Sequence, residues 1–311
     1  MKYVFLFLFL IGFLSPLRSA QPSTFNFLRT DVSARTAALN GSFVSMTDDP
    51  NVIFYNPASL NTLIKPKASV SYLDHLLDVY SATASYAQYL NGIGNVGAGI
   101  LYMNYGTFNR TNASMDVLGT FGAQELECIV GIATAYDEDI HVGINAKYIY
   151  SSIAEYTSNA LAVDLGFLYS IPSQNLMIGG SVLNLGKQLT AYNGFTESLP
   201  LDVKIGLTKR PEHLPVYLSL NFHRLNESGQ NFIDRFSRFT VGAEFLMSGS
   251  LRLRVGYNNK QRKELKMGTS AGLAGFSMGG GLVLKDYQVD YSYNSYGHIG
   301  GLHRFSLGIN L

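Results

Sequence analysis

The sequence predicts an all-β protein, a transmembrane antiparallel β-barrel of about fourteen strands that follows a short, partly helical N-terminal hatch. Beyond residue 66 the chain divides into about fourteen stretches in which apolar and polar residues alternate. The gaps between these stretches are mostly long and short in turn. Charged residues make up 14% of the chain, whereas they are about a quarter of a soluble domain. Together these observations favour a barrel in a membrane over a soluble β-sandwich.

The alternation gives each stretch one apolar and one polar face, because side chains on a strand point to opposite sides with a period of two. In Leu302–Leu311, every second residue from Phe305 to the end is apolar, and the residues between them are Ser, Gly and Asn. In a barrel the apolar face would contact lipid and the polar face would line the lumen. Stretches of about ten residues suit a strand tilted across a bilayer.

We predict strands at Ala68–Leu76, Val79–Leu90, Asn95–Thr107, Gln124–Asp137, Ile140–Ile153, Thr157–Ser170, Asn175–Lys187, Leu201–Arg210, Val216–Leu225, Phe236–Met247, Ser250–Asn258, Ala271–Leu284, Tyr287–Asn294 and Leu302–Leu311. The predicted long gaps are Phe108–Ala123, Gln188–Pro200, Asn226–Arg235, Asn259–Ser270 and Ser295–Gly301. Outer-membrane barrels have short periplasmic turns and longer extracellular loops. We therefore expect these loops outside the cell and both chain termini on the periplasmic side.

Three segments are expected along the chain: a signal peptide over residues 1–20, a hatch over residues 21–66 and the barrel over residues 67–311. The signal peptide is predicted by Lys2, the apolar run Val4–Leu14 and the small residues Ser19 and Ala20, with cleavage after either of these two. Removal of Lys2 and Arg18 leaves 21 basic against 22 acidic residues. This balance argues against a nucleic-acid partner.

Capping residues predict short helical pieces in the hatch. Ser33 is a candidate N-cap for Ala34–Leu39, and Asp49 followed by Pro50 is a candidate start for Asn51–Tyr55. The pair Asn56 and Pro57 repeats this pattern. Pieces of this size are too short to span a membrane and fit a plug folded into the barrel. For Asp48 and Asp49, helix capping is favoured over a cation site.

Residues for catalysis or cofactor binding are not evident. The six histidines lack metal-ligand spacing, and Cys128 is the single cysteine, which favours a packing role for that thiol. The glycines of Gly275–Gly281 lack the context of a phosphate loop, so they favour tight curvature or close approach of the hatch to the wall. We expect no enzyme activity, no metal and no cofactor.

Charges of both signs on the predicted polar strand faces indicate a packed lumen rather than an ion-selective pore. The candidate lumen and hatch residues are Asp48, Asp49, Asn56, Pro57, Asp164, Glu244, Arg252 and Arg254. A second cluster lies in the predicted loop Asn259–Ser270 and comprises Lys260, Arg262, Lys263 and Lys266. This basic cluster is either a solvated surface or a docking site for a protein partner or for lipopolysaccharide phosphates.

The stretch FNFLRTDVSARTAALNGSFVSMTDDPNVIFYNPASL resembles the opening of the PorV/PorQ family of outer-membrane proteins, whose barrel is similar to that of the FadL fatty-acid transporter. The stretches RFTVGAEFL, LRLRVGYNNKQRKELKM, GLAGFSMGGGL and HRFSLGINL are similar to the PorQ branch. Asn40 stands where the family pattern has a second glycine, and asparagine tolerates the left-handed backbone.

The resemblance implies a non-enzymatic component of the type IX protein secretion system in a Gram-negative, Bacteroidetes-like outer membrane. Such a component would anchor the cell-surface attachment complex, with a PorZ-like propeller protein, a PorU-like sortase and a PorV-like shuttle as partners and outer-membrane lipid around the barrel. Two alternatives stay open. One is a FadL-like transporter of hydrophobic solutes, which a lateral gap beside the hatch would favour. The other is a PorV-like cargo shuttle, with which secreted substrates would co-purify.

Overall fold

Fourteen antiparallel strands close into one barrel in which every strand pairs with its neighbours in the chain. The computed structural model describes residues 25–311 except 76, 193, 195, 228–231 and 267–269. The predicted signal peptide lies outside the described residues. Among the helices of the described residues, none is both long and apolar enough to cross a membrane.

The strands are β1 Lys67–Asp74, β2 Tyr80–Leu90, β3 Gly94–Thr111, β4 Val117–Asp137, β5 Ile140–Ile153, β6 Tyr156–Ile171, β7 Leu176–Thr190, β8 Asp202–Lys209, β9 Val216–Phe222, β10 Phe239–Leu246, β11 Leu251–Asn258, β12 Phe276–Leu284, β13 Tyr287–Ser295 and β14 Gly301–Asn310. Two short α-helices are α1, Ala34–Ala38, in the hatch and α2, Asn259–Glu264, after β11. Short 3-10 helices occupy Asn26–Arg29, Pro50–Phe54, Pro57–Thr62, Pro172–Gln174, Phe232–Ser237 and Gly297–Ile299.

The barrel closes between its first and last strands. β1 pairs with β14 from Lys67 opposite Asn310 to Asp74 opposite His303. The backbone N–H of Leu311 then donates to the carbonyl of Pro66 at 2.9 Å. Closure leaves no open sheet edge in the hydrocarbon, where an unpaired backbone group would cost several kcal/mol, on the order of the transfer of an amide out of water.

The two faces of the wall are divided as the alternation predicts. On β14, Phe305 is 54% exposed and Leu307 is 47% exposed on the outside of the barrel. Ser306 points inward and shares a 2.8 Å hydrogen bond with Ser71 of β1. The same division holds around the barrel, so its outer surface is an apolar band and its inner surface is mostly polar.

The connections between the strands lie at the two ends of the barrel. The end that carries the turns 91–93, 138–139, 172–175, 210–215, 247–250 and 285–286 is here called the tight-turn end. The opposite end, the loop end, carries 75–79, 112–116, 154–155, 191–201, 223–238, 259–275 and 296–300. The three longest connections are all at the loop end, as the parity of the gaps predicts.

The predicted loop Phe108–Ala123 is wrong, because β3 and β4 continue through most of it. Phe108 pairs with Phe121 and Arg110 pairs with Gly119, which leaves only residues 112–116 as a loop. The rings of Phe108 and Phe121 stack 5.4 Å apart, and the Arg110 guanidinium lies 5.9 Å from the Phe121 ring. These cross-strand contacts extend the hairpin into a two-stranded ribbon, residues 107–122, beyond the barrel wall.

The predicted hatch helices are present, and the capping residues act as expected. Ser33 and Thr36 form a capping box at the start of α1. The side chains of Asp49 and Asn56 accept hydrogen bonds from the backbone N–H groups of Asn51 and Ala58, and the two helices that follow are 3-10 helices. Asn40 has a φ of 51°, the left-handed conformation expected for it.

The hatch runs inside the barrel from the loop end to the tight-turn end. The Phe25 ring stacks on Tyr192 of the 191–201 loop at 6.5 Å, whereas Lys67 begins β1 at the tight-turn end. The first described residue, Phe25, therefore lies at the loop end, where it is 0% exposed beneath the loops. The expected periplasmic position of the N-terminus concerns residues outside the described ones, whereas the C-terminal residue Leu311 is at the tight-turn end.

The labelling of intact cells tests the orientation. Single cysteines at Asn112 and Lys260, in a background with Cys128→Ser, should react with a membrane-impermeant maleimide because both positions are at the loop end. Cysteines at Asn91 and Glu138 should react only after the outer membrane is permeabilised. Labelling of Asn91 and Glu138 in intact cells, with Asn112 protected, would reverse the topology.

The outward face of the closing strand should be essential for assembly. The double variant Phe305→Asp with Leu307→Asp places two carboxylates in lipid, at a cost on the order of 2 kcal/mol each. We expect loss of the heat-modifiable barrel from outer-membrane fractions on gels. The control, Phe305→Leu with Leu307→Val, should assemble normally, and normal assembly of the aspartate variant contradicts the register.

Candidate functional site

The candidate functional site is the contact between the hatch and the inner wall of the barrel. The hatch contacts every strand of the barrel. Many of these contacts are hydrogen bonds, and they are distributed along the hatch. Asn294 of β13 donates to the carbonyl of Ala37 at 2.8 Å, and Asn145 of β5 donates to the carbonyl of Ile53 at 2.9 Å. Asn221 of β9 donates to Ser42 at 2.6 Å. The hatch is therefore bound on all sides of the lumen.

Lumen-facing glycines allow the hatch backbone to touch the wall. A Cβ atom added at Gly143 would lie 2.5 Å from the carbonyl carbon of Pro57, and one at Gly256 would lie 2.7 Å from the carbonyl oxygen of Ala38. Gly166 and Gly179 also meet hatch backbone atoms, whereas Gly99, Gly206, Gly242 and Gly279 meet the side chains of Phe54, Val44, Leu39 and Ala38. These eight residues are here called the glycine belt. Gly279 confirms the close approach predicted for the run Gly275–Gly281.

Apolar packing joins the hatch to one side of the belt. Phe43, Ile53 and Leu60 of the hatch are fully buried and belong to one core with Leu101 of β3 and Ile149 of β5. Burial of such side chains contributes about 1.5–3 kcal/mol each. The barrel thus has a packed internal core as well as an apolar outer surface.

A network of buried charges joins the hatch to the other side of the wall. Arg35 of α1 lies 2.8 Å from Glu244 of β10 and 3.0 Å from Asp49 of the hatch. Arg254 of β11 lies 2.9 Å from the same carboxylate of Glu244 and 2.6 Å from Asp290 of β13. These five residues are here called the Arg35 network. Its geometry satisfies each charge, so removal of one partner should cost about 3–5 kcal/mol.

A second network lies within the wall beside the hatch. Lys147 of β5 lies 2.9 Å from Glu127 and 3.1 Å from Asp164, and all three side chains are at most 2% exposed. Asp164 also accepts a 3.0 Å hydrogen bond from Asn145, the residue whose amide donates to the hatch at Ile53. The buried charges of the wall therefore position a hatch contact.

Asn56 and Pro57 hold the turn between the two 3-10 helices against the wall. The Asn56 amide donates to the carbonyls of Val44 at 2.8 Å and Phe167 of β6 at 2.9 Å. Pro57 lies against Gly143 of the belt. Asp48 is at the tight-turn end, where its carboxylate lies 2.7 Å from the ammonium of Lys67.

Arg252, a candidate lumen residue, joins neither network. Its guanidinium donates to the backbone carbonyls of Ser248 and Leu251 in the β10–β11 turn. It faces a cavity of about 430 Å³ at the tight-turn end, here called the vestibule. Other residues that line the vestibule are Arg35, Met46, Thr47, Asp48, Lys67, Asn175, Met177, Thr208, Arg210, Tyr217, Glu244, Leu246, Arg254, Val283, Gln288 and Asn310.

Sequence reasoning missed a charge cluster at the loop end. Arg29 of the hatch lies 3.1 Å from Glu227 in the 223–238 loop, and it donates to the carbonyl of Leu201 at 3.2 Å. Asp202 accepts a 2.7 Å hydrogen bond from the backbone N–H of Arg224. The alternation of residues carries no signal for these contacts, because they join a hatch residue to irregular loops.

Two groups outside the strands have shifted pKa values. Burial raises the pKa of the Asp31 carboxyl in the hatch, although nearby Arg304 and the 3.0 Å hydrogen bond from Tyr55 oppose the shift. Burial lowers the pKa of His223, just after β9, to about 4. His223 is therefore neutral at neutral pH and adds no positive charge beside Arg224.

The basic cluster lies at the loop end, on α2 and just after it. Lys260 and Arg262 are half-buried: Lys260 lies 3.4 Å from Glu264, and the Arg262 guanidinium lies 5.6 Å from the Phe276 ring. Lys263 and Lys266 are exposed. Only part of the predicted cluster is thus directed outward.

In the described residues, no group of three or more His, Cys, Asp or Glu side chains is arranged to hold a metal ion.

A bulky side chain in the glycine belt should loosen the hatch. Gly143→Val would clash with the backbone at Pro57, so a cysteine at Ser59, which is 0% exposed in the native protein, should become reactive to maleimide. The experiment uses purified protein with Cys128→Ser. Gly249→Val is the matched control, since no atom lies within 4 Å of a Cβ at Gly249. Equal protection of Ser59→Cys in both variants would contradict the tight contact.

No protein-family profile and no curated protein match this sequence. Solved structures share the fold. The toluene transporter TbuX of Ralstonia pickettii has a TM-score of 0.60 and 12% identity, over 89% of this chain and 96% of that chain. The toluene transporter TodX of Pseudomonas putida has a TM-score of 0.59 and 11% identity, over 89% and 96%.

A FadL homologue of Pseudomonas aeruginosa has a TM-score of 0.58 and 8% identity, over 90% of this chain and 98% of that chain. Two of these three structural neighbours are toluene transporters by name. At such low identity the likeness concerns the fold alone. The chain therefore has the FadL-type outer-membrane barrel fold.

Proposed function

We propose that this chain is a plugged, non-enzymatic barrel of the type IX secretion system, a PorQ-like component that anchors the surface attachment complex in the outer membrane. The observation that carries the proposal is the way in which the hatch is fixed in the lumen. The Arg35 network, the glycine belt and the apolar core hold it on different sides. A barrel filled in this way supports a scaffold role better than rapid passage of a solute.

The part of the wall beside the Pro50–Phe54 helix gives further support. β2 pairs with β1 along the whole of β1, from Lys67 opposite Ala87 to Asp74 opposite Tyr80. β2 also pairs with β3 from Tyr80 to Leu90 without a register shift. The Pro50–Phe54 helix of the hatch contacts these strands. This part of the wall is therefore continuous, whereas a lateral gap here would favour transport.

A scaffold would bind its partners through the loop end. The candidates are the exposed Lys263 and Lys266 and the ribbon, whose tip carries Met115 at 85% exposure and Leu118 at 64% exposure. Exposed apolar side chains beside charges are typical of protein-binding surfaces. The proposed partners are the PorZ-like propeller protein, the PorU-like sortase and the PorV-like shuttle.

A FadL-like channel for hydrophobic solutes is the second candidate. The comparisons favour it more directly than the anchor, because the solved structures with this fold include two toluene transporters. In a channel the hatch would have to move to open a path. The hatch would then be a gate, and its contacts with the wall would limit uptake.

The anchor role is tested by changes at the loop end. In the native host, Lys263→Ser with Lys266→Ser should leave the barrel in the outer membrane but release attachment-complex proteins into the medium, because charge steers and orients a partner. The control, Lys209→Ser with Lys285→Ser, changes two exposed lysines at the tight-turn end and should release nothing. Immunoblots of membrane and medium measure the outcome.

Deletion of the whole protein distinguishes the remaining outcomes. If the lysine variant retains the complex and the deletion releases it, another loop-end surface such as the ribbon carries the contact. If the deletion releases nothing, the anchor role is wrong. The channel alternative expects instead that toluene uptake falls in the deletion strain while surface proteins stay attached.

A further inference from the structure

The vestibule at the tight-turn end contains more positive than negative charge. Arg35 and Arg254 share Glu244, and they have Asp49 and Asp290 as further partners. Lys67, the lysine that lines the vestibule, is also paired, with Asp48. Each of these three cations is neutralised within the protein.

Two arginines of the vestibule have no carboxylate partner among the described residues. The Arg210 guanidinium lies 5.5 Å from the Tyr217 ring, in a cation–π contact. The Arg252 guanidinium donates only to the carbonyls of Ser248 and Leu251. Both face the same cavity. Convergent positive charges in a concave polar site attract an anion, because the low-dielectric walls focus the field.

We propose that the vestibule binds an acidic peptide segment, with Arg210 and Arg252 as its carboxylate contacts. Guanidinium groups bind carboxylates with two parallel hydrogen bonds, so two arginines suit two acidic side chains. Asn175 and Asn310, whose side-chain amides carry the donors and acceptors that bond a peptide backbone, also line the vestibule. The volume of about 430 Å³ is within the range of ligand pockets, about 300–1,000 Å³.

The position of the vestibule favours a peptide over lipid. The tight-turn end is the periplasmic end by the loop rule for outer-membrane barrels. Phospholipid head groups of that leaflet surround the outer wall, whereas the vestibule is inside the lumen. Met46, Met177 and Leu246 add apolar contacts for the non-acidic side chains of such a segment. The partner is therefore the acidic segment of a periplasmic protein.

The test uses the purified full-length barrel in detergent and a fluorescein-labelled hexapeptide of alternating aspartate and glutamate. Fluorescence anisotropy should show saturable binding that weakens as salt rises. Arg210→Gln with Arg252→Gln should weaken the affinity by about tenfold or more, since charge-assisted hydrogen bonds are lost. Lys209→Gln with Lys285→Gln removes the same charge from exposed positions at the tight-turn end that do not line the vestibule, and should leave binding unchanged.

Further variants and competitor ligands distinguish binding at this site from misfolding and from general charge attraction. Heat-modifiability on gels checks that each variant is folded, and Arg210→Lys with Arg252→Lys, which keeps the charge, should bind with intermediate affinity. An equal loss in both glutamine variants, or no binding by the native barrel, overturns the site. Inorganic phosphate is added at a concentration that supplies the same total negative charge as the peptide. Full displacement of the peptide under this condition overturns the peptide as occupant. A hexalysine peptide should not bind.

Discussion

The contact between Arg35 and Glu244 is the interaction on which much of this molecule depends. A carboxylate on the inner wall and a guanidinium on the hatch would each be costly if buried alone. Together, with Arg254, Asp49 and Asp290, they form a satisfied network. Each carboxylate of the network therefore contacts a guanidinium, and Glu244 contacts one from the hatch and one from the wall. An empty barrel of this sequence would leave Glu244 with Arg254 as its one guanidinium partner in this network.

The outer surface of the barrel contacts lipid, and the inner surface contacts the hatch. Lipid requires a closed hydrogen-bond ladder and an apolar exterior, and the pairing of β1 with β14 and the outward Phe305 and Leu307 meet that requirement. The inner surface is built to contact protein instead. Small glycines lie where the hatch backbone touches the wall, and polar side chains such as Asn145 lie where a hatch carbonyl needs a donor.

Much of the fold was predictable because strand alternation and helix caps are local signals. The fourteen strands, the outward face of β14 and the caps at Ser33, Asp49 and Asn56 follow from neighbouring residues alone. The ribbon was not predictable in this way, since its residues are too polar to show clear alternation. The contact of Arg29 with Glu227 and the separate position of Arg252 were also missed. They depend on distant segments meeting, which a local pattern does not encode.

The central claim is that the hatch seals the lumen of the native protein. It is tested most directly by planar-bilayer recording of the purified full-length barrel, compared with a variant that lacks residues 33–62. The account predicts that the native barrel inserts without measurable ionic conductance, and that the deletion variant conducts steadily. Stable open-channel currents from the native barrel, at the level of the deletion variant, would contradict it.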